Sequence, residues 1–125
     1  MEKKIIQKYQ INIAIVHSDM VFINDAQSAL DFMMSVCYND NCTRIVINKD
    51  AIIDDFFTLS TGVAGEILQK AVNYSIKIAI VGDFGKYQSK ALKDFIYECN
   101  NGKDVFFVGD EKSAIEKLVN RTILI

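Results

Sequence analysis

Residues 3 to 18 carry β-branched side chains in partial alternation, with Ile5, Ile11, Ile13 and Ile15 on one parity and Gln10, Asn12 and Ala14 among the positions between. This pattern predicts two strands joined by a turn near Gln10. A short apolar piece, Val21-Phe22-Ile23, follows the polar Ser18-Asp19 and is expected to extend the sheet edge. The period then changes. Ala26, Ala29, Leu30, Met33 and Cys37 recur at helical spacing, behind Asn24 or Asp25 as N-cap and Gln27 in capping-box position relative to Asn24. Asn39-Asp40-Asn41 marks the end of that helix.

Two β-branched runs, Thr43 to Ile47 and Ser75 to Val81, are continuous enough to be strands covered on both faces. The covering helices are predicted at Thr61 to Tyr74, through Val63, Ala64, Ile67, Leu68, Ala71 and Val72, and at Ser89 to Asn100, through Ala91, Leu92, Phe95, Ile96 and Cys99. Gly102 stands at the C′ position of the second. Val105 to Val108 is a further strand, and Asp110 caps a last helix with Ala114, Ile115, Leu118 and Val119 inward. The order β-β-α-β-α-β-α-β-α implies an α/β fold. Its mixed, mostly parallel sheet would begin with an antiparallel hairpin and carry about four helices. No repeat or linker divides residues 1 to 125, so one domain is expected.

Composition sharpens this picture by exclusion. Of 125 residues, 50% are hydrophobic and 24% charged, which suits a globular core without disulfides. A net charge of -2 with mixed signs leaves no electrostatic footprint for nucleic acid. No apolar run approaches the roughly 20 residues of a membrane span, and Met1-Glu2-Lys3-Lys4 leads into an alternating segment. The expected setting is the cytoplasm, without membrane or nucleic-acid partners. Cys37, Cys42 and Cys99 then read as reduced thiols acting as small hydrophobes.

Candidate chemistry is sparse. His17 is the only histidine, and Cys37-x-x-x-x-Cys42 is neither a redox nor a metal motif, so no catalytic residue, metal set or cofactor is assigned. Gly82-Asp83-Phe84-Gly85-Lys86 lies between a strand and a helix, where phosphate loops sit, but it matches neither the P-loop nor the dinucleotide spacing. Asp50, Asp54, Asp55 and Asp83 read as solvated turn residues rather than a magnesium cluster. Lys86, Lys90 and Lys93 would share one solvated face if all were helical.

The richest stretch is Asp54 to Glu66. Structurally, Ser60 or Thr61 would be an N-cap, Phe56 and Phe57 would fill core, and Gly62 and Gly65 would let helix and sheet approach closely. Functionally, a phosphate at this helix start would be favoured by free N–H groups and the helix dipole, making Ser60 and Thr61 phosphoacceptor candidates.

Three strings carry a family resemblance: Phe56-Phe57-x-Leu59-x-Thr61-Gly62-x-Ala64-Gly65-Glu66-Ile67-Leu68-Gln69-Lys70, then Ile80-Val81-Gly82-Asp83-Phe84, then Ser89-Lys90-Ala91-Leu92-x-Asp94-Phe95-Ile96-Tyr97-Glu98. Through them the chain resembles a bacterial family of small uncharacterised proteins, known as a domain of unknown function. More distantly it is similar to the STAS domain of anti-sigma-factor antagonists. There Asp-Ser-Ser-Gly often opens the second helix, at the place held here by Leu59-Ser60-Thr61-Gly62. The resemblance implies the fold more than the phospho-switch, since Leu59 replaces the acidic residue.

The resulting expectation is a regulatory or protein-interaction domain. Its contact surface would use Phe56, Phe57, Ser60, Thr61, Gly62 and Glu66 with the loop bearing Asp83, Lys86, Ser89 and Lys90, the two loops lying on one sheet edge. The alternative is a small-ligand- or phosphate-binding α/β protein, possibly an enzyme, using the Asp83 to Lys90 loop. The partner is an unidentified protein. The apolar Thr122-Ile123-Leu124-Ile125 would either support a homodimer or pack on its own sheet.

Overall fold

The computed structural model describes residues 1–120, so the C-terminal stretch proposed for self-association lies outside the described residues. Strands β1 (Glu2–Lys8) and β2 (Ile11–His17) form the antiparallel hairpin. Its turn is made by Tyr9 and Gln10, both at positive φ (52° and 66°), the mirror-image turn whose twist suits a two-residue hairpin. Strands β3 (Arg44–Asn48), β4 (Lys77–Val81) and β5 (Val105–Val108) follow in parallel, giving a five-stranded sheet in the order β1-β2-β3-β4-β5. The mixed α/β architecture expected from the alternating pattern is the one observed.

Four helices cover the sheet: α1 (Ala26–Asp40), α2 (Val63–Asn73), α3 (Lys90–Asn100) and α4 (Glu111–Leu118). The period-two geometry of the strands divides the core between two faces. Ala14, Ile45, Ile47, Ile78, Ile80, Val105 and Phe107 pack with α1, α2 and α3, whereas Ile13, Ile15, Val46, Ala79 and Phe106 pack with α4.

Helix α1 departs from the expected cap. Asp25 is the N-cap, and its box partner is Ser28 rather than Gln27: Asp25 Oδ1 accepts from Ser28 N–H at 2.8 Å, and Ser28 Oγ accepts from Asp25 N–H at 3.1 Å. A short hydroxyl reaches back as well as a long amide does. The apolar stripe is also rotated, with Ala29, Met33 and Val36 fully buried and Cys37 half-buried. Hydrogen bonds from the Ser28 backbone and side chain lower the pKa of Asp25, and those from Ser113 lower that of Asp110 at the start of α4. Both folded-state values lie below the unfolded one. The caps therefore stabilise fully above the ordinary carboxylate pKa and fade as pH falls through the depressed values. A double Asp25→Asn/Asp110→Asn variant is expected to show a flatter acid limb when urea midpoints are followed against pH; an unchanged limb would assign acid sensitivity elsewhere.

Val21-Phe22-Ile23 does not extend the sheet edge. Only Ile23 makes a bridge, parallel to Ile52, and the Phe22 and Ile23 N–H groups both donate to Ala51 O at 3.0 Å. Asn48 fixes this end of the sheet: its side chain accepts from Ser18 N–H at 2.9 Å and donates to Ser18 O at 2.7 Å, so buried Ser18 has its backbone satisfied.

Helix α2 begins two residues later than expected. Leu59–Thr61 form a 3₁₀ turn, and Gly62, at φ 80°, is the N-cap, without a side-chain cap bond. That left-handed conformation is what requires glycine at position 62. The expected close helix-to-sheet approach is not found, because a Cβ at either Gly62 or Gly65 would meet nothing within 4 Å. Helix α3 begins with Ser89 as N-cap, so Lys86 lies before the helix and the three-lysine face does not form. Gly102 does follow the α3 C-cap Asn101 and donates to Cys99 O at 3.0 Å.

The outer edge of β5 is closed by a side chain. Asn100, the last residue of α3, donates to Phe107 O at 3.1 Å and accepts from Phe107 N–H at 2.7 Å, replacing a neighbouring strand at that residue.

A lysine-aromatic cleft at the strand ends

In a parallel sheet the loops leaving the strands gather on one edge. The β3–β4 register sets Asn48 opposite Val81, so Lys49 and Gly82 emerge side by side. A Cβ on Gly82 would stand 2.8 Å from Lys49 Cβ and 3.3 Å from Phe84 Cζ. Glycine at 82 therefore lets the lysine stem cross the start of the Asp83 loop. Gly82→Ala is expected to cost roughly 1–3 kcal/mol through this overlap and to move Lys49 off its seat. Chemical denaturation, with the Lys49 Nζ signal followed by NMR, checks both parts.

The two loops named from the sequence do share this edge. Phe56 and Phe57 lie on a 3₁₀ turn (Asp54–Phe57) with ring centroids 4.9 Å apart. Phe57 stacks on Tyr87 at 5.4 Å and 15°, joining the first loop to the second. Phe84 packs edge-on to Phe107 at 5.3 Å, and Phe56 lies 6.3 Å from the same ring, so the aromatic layer continues into the core. Lys49 Nζ lies 5.2 Å from the Phe57 centroid and 5.4 Å from that of Tyr87, within range for attraction to the ring faces.

Around this lysine opens a cleft of about 540 Å³, also lined by Asp54, Thr58, Ser60, Lys86 and Ser89. Burial opposes the charged form of Lys49, but the hydrogen bond to Tyr87 and the nearby Asp54 carboxylate outweigh it and raise its pKa. Lys49 is thus a fixed cation. A charged lysine against two ring faces can hold an anionic group.

Of the residues singled out from the sequence, Phe57, Ser60, Lys86 and Ser89 line the cleft. Phe56 is 1% exposed and supports it from beneath. The Thr61 hydroxyl is committed to the turn: its proton is shared between Asp55 O (2.7 Å) and Thr58 O (2.8 Å), and its oxygen accepts from Val63 N–H at 3.3 Å. Gly62 shapes the entry to α2, while Glu66 is exposed in its first turn. Asp83 accepts from Gly85 N–H at 3.1 Å, holding its own loop, and Lys90 pairs with Asp94 at 2.7 Å on the surface of α3. None of the last four lines the cleft.

Lys49 and Tyr87 were not anticipated. The available signal was positional: Lys49 directly follows a buried parallel strand, and Tyr87 lies in the next strand-to-helix loop. Elsewhere, His17 is exposed and stands 4.0 Å from Asp19. The three thiols are unpaired, Cys42 being buried and the others half-buried, and burial raises the pKa of each. Among the described residues no three His, Cys, Asp or Glu side chains gather as metal ligands, and no helix is long and apolar enough to cross a membrane.

No curated protein and no solved structure matches the chain. A family model does, over residues 8–118, which include every residue of the cleft: the chain belongs to the family described as a domain of unknown function (DUF4180).

Proposed function

We propose that this chain is a cytoplasmic regulatory or protein-interaction domain of STAS-like architecture, whose strand-end cleft receives an anionic group, carboxylate or phosphate, carried by a protein partner. The observation that carries this reading is the protonated Lys49 set against Phe57 and Tyr87, with Lys86 and the hydroxyl-bearing Ser60 and Ser89 around the same opening. The cation supplies attraction and the rings supply apolar contact area, the combination that makes a small patch a binding anchor. The order of elements supports the STAS-like comparison.

The regulatory version now centres on Ser60. It is exposed and lines the cleft beside two lysines, whereas the Thr61 hydroxyl is occupied by the turn. A phosphate on Ser60 would compete for the charge that holds the partner. The test is affinity capture from the native cytoplasm with the wild-type chain, Lys49→Glu and Ser60→Asp. Partners retained by the wild type and depleted at least about tenfold by Lys49→Glu are expected, tenfold being the loss of one charged contact. Equal recovery on all three baits would end this reading.

The volume of the cleft favours a second reading, a phosphorylated or carboxylate metabolite, because about 540 Å³ lies within the range of small-molecule sites. Thermal-shift screening of such compounds separates the two. A hit lost in Lys49→Glu would transfer the function to small-ligand binding.

A further inference from the structure

A second opening lies at the other end of the sheet, against the face covered by α4. It is about 340 Å³ and is lined by Arg44 at the start of β3, Lys77 at the start of β4, Lys103 in the loop before β5, and Lys117 near the end of α4. Asn120 adds an amide group, the Asn101 amide being engaged in part with Tyr97 O at 3.1 Å, and among the described residues no acidic side chain contributes to the lining. Four cations about one cavity, in a chain with net charge -2, form a local field opposite in sign to the whole.

The structure accounts for only part of this charge. Lys77 donates to Lys103 O at 2.6 Å and approaches Asp104 at 3.5 Å, which ties down the loop before β5. Lys117 lies 5.8 Å from the Phe106 ring. Among the described residues Arg44, Lys103 and Lys117 have no ion-pair partner, and Arg44 Nε is buried without a hydrogen-bond acceptor. A buried donor of a guanidinium left without an acceptor is costly, and native structures seldom leave one so. Nε is itself closed to solvent, so it is the unpaired charge of Arg44, Lys103 and Lys117, and not that donor, that an anion entering the basin would meet.

We propose that this basin binds a compact, multiply charged anion of the pyrophosphate type, such as the diphosphate or bisphosphate portion of a metabolite. The planar guanidinium presents directed donors, the lysines supply charge without fixed geometry, and the asparagine amides supply neutral donors. The cavity is of metabolite size and lies within the range of small-molecule sites. The site is independent of the cleft at the strand ends, which shares none of its residues. The competing explanation for the basic residues is that they only complement the carbonyl-rich C-terminal ends of α3 and α4, which converge here.

The experiment is titration calorimetry of the full chain carrying Lys49→Glu, which removes the cation of the strand-end cleft, with inorganic pyrophosphate at low ionic strength and inorganic phosphate as the weaker probe. Saturable one-site binding is expected, tighter for pyrophosphate than for phosphate. It should weaken at least about tenfold when Lys103→Glu or Arg44→Met is added to that background. Lys103 is exposed, so its variant keeps the fold even where the change at Arg44 disturbs β3. Failure to saturate would overturn the proposal in favour of the helix-end explanation. Binding that survives the added Lys103→Glu would equally overturn it by placing the anion elsewhere.

Discussion

Phe56→Ala is expected to lower stability by about 3–5 kcal/mol, enough to remove most of the folding margin of a domain this size. Phe56 is 1% exposed and touches three parts of the structure: its neighbour Phe57, Phe107 on β5, and the apolar cluster shared with α1 and α2. Truncation removes a ring whose aromatic neighbours, Phe57 and Phe107, are themselves held by Tyr87, Phe84 and Phe95, so the cavity cannot close by the movement of either ring alone. Guanidinium unfolding monitored by circular dichroism gives the magnitude. The cleft above should lose order with it, because Phe57 rests on this ring before stacking on Tyr87. A loss below 1 kcal/mol would mean that the layer repacks. Phe56 is for this reason unsuitable for testing a contact surface.

Asn100→Ala should cost about 2–4 kcal/mol, from two buried backbone groups losing their partner at once. Phe107 is 4% exposed, and among the described residues its outward N–H and C=O are met by the Asn100 amide. The same change uncovers the edge of β5 as a template for a foreign strand. Increased concentration-dependent light scattering should therefore accompany the fall in the urea midpoint. Asn100→Asp separates the two contributions: it keeps an acceptor for Phe107 N–H but sets a carboxylate against Phe107 O, and so should recover little stability. Full stability in Asn100→Ala would show water serving both groups.

The layered architecture was legible because it rests on period and parity. Ile45, Ile47, Ile78 and Ile80 face the three-helix layer, and Val46 and Ala79 face α4, as the uninterrupted apolar runs required. Caps were legible to within one residue, since Asp25 and Asn24 carry similar side chains and Ser28 and Gln27 compete for the same return bond. The start of α2 was not. Ser60 and Thr61 have cap chemistry, but the preceding run folds into successive 3₁₀ turns that direct the Thr61 hydroxyl back to Asp55 and Thr58. Local propensity did not contain that competition.

The cleft was half legible. Its two loops could be placed together from the topology of a parallel sheet, and Phe57, Ser60, Lys86 and Ser89 do line it. Lys49 and Tyr87 meet only because the β3–β4 register brings Asn48 level with Val81 and Gly82 leaves room for the lysine stem. A register between strands about 30 residues apart is a tertiary quantity, and no spacing within either loop encodes it.

The spatial order of the strands is also their order along the chain. Each strand after the first adds to the edge made by its immediate predecessor, so no gap has to be held open for a later segment. A chain emerging from the ribosome can therefore lay down this sheet from its N-terminal hairpin onward, at about 5–20 residues per second, each helix covering its strands as it appears. Asn100 leaves the ribosome before Phe107, so the plug for the final edge is synthesised ahead of the edge it closes.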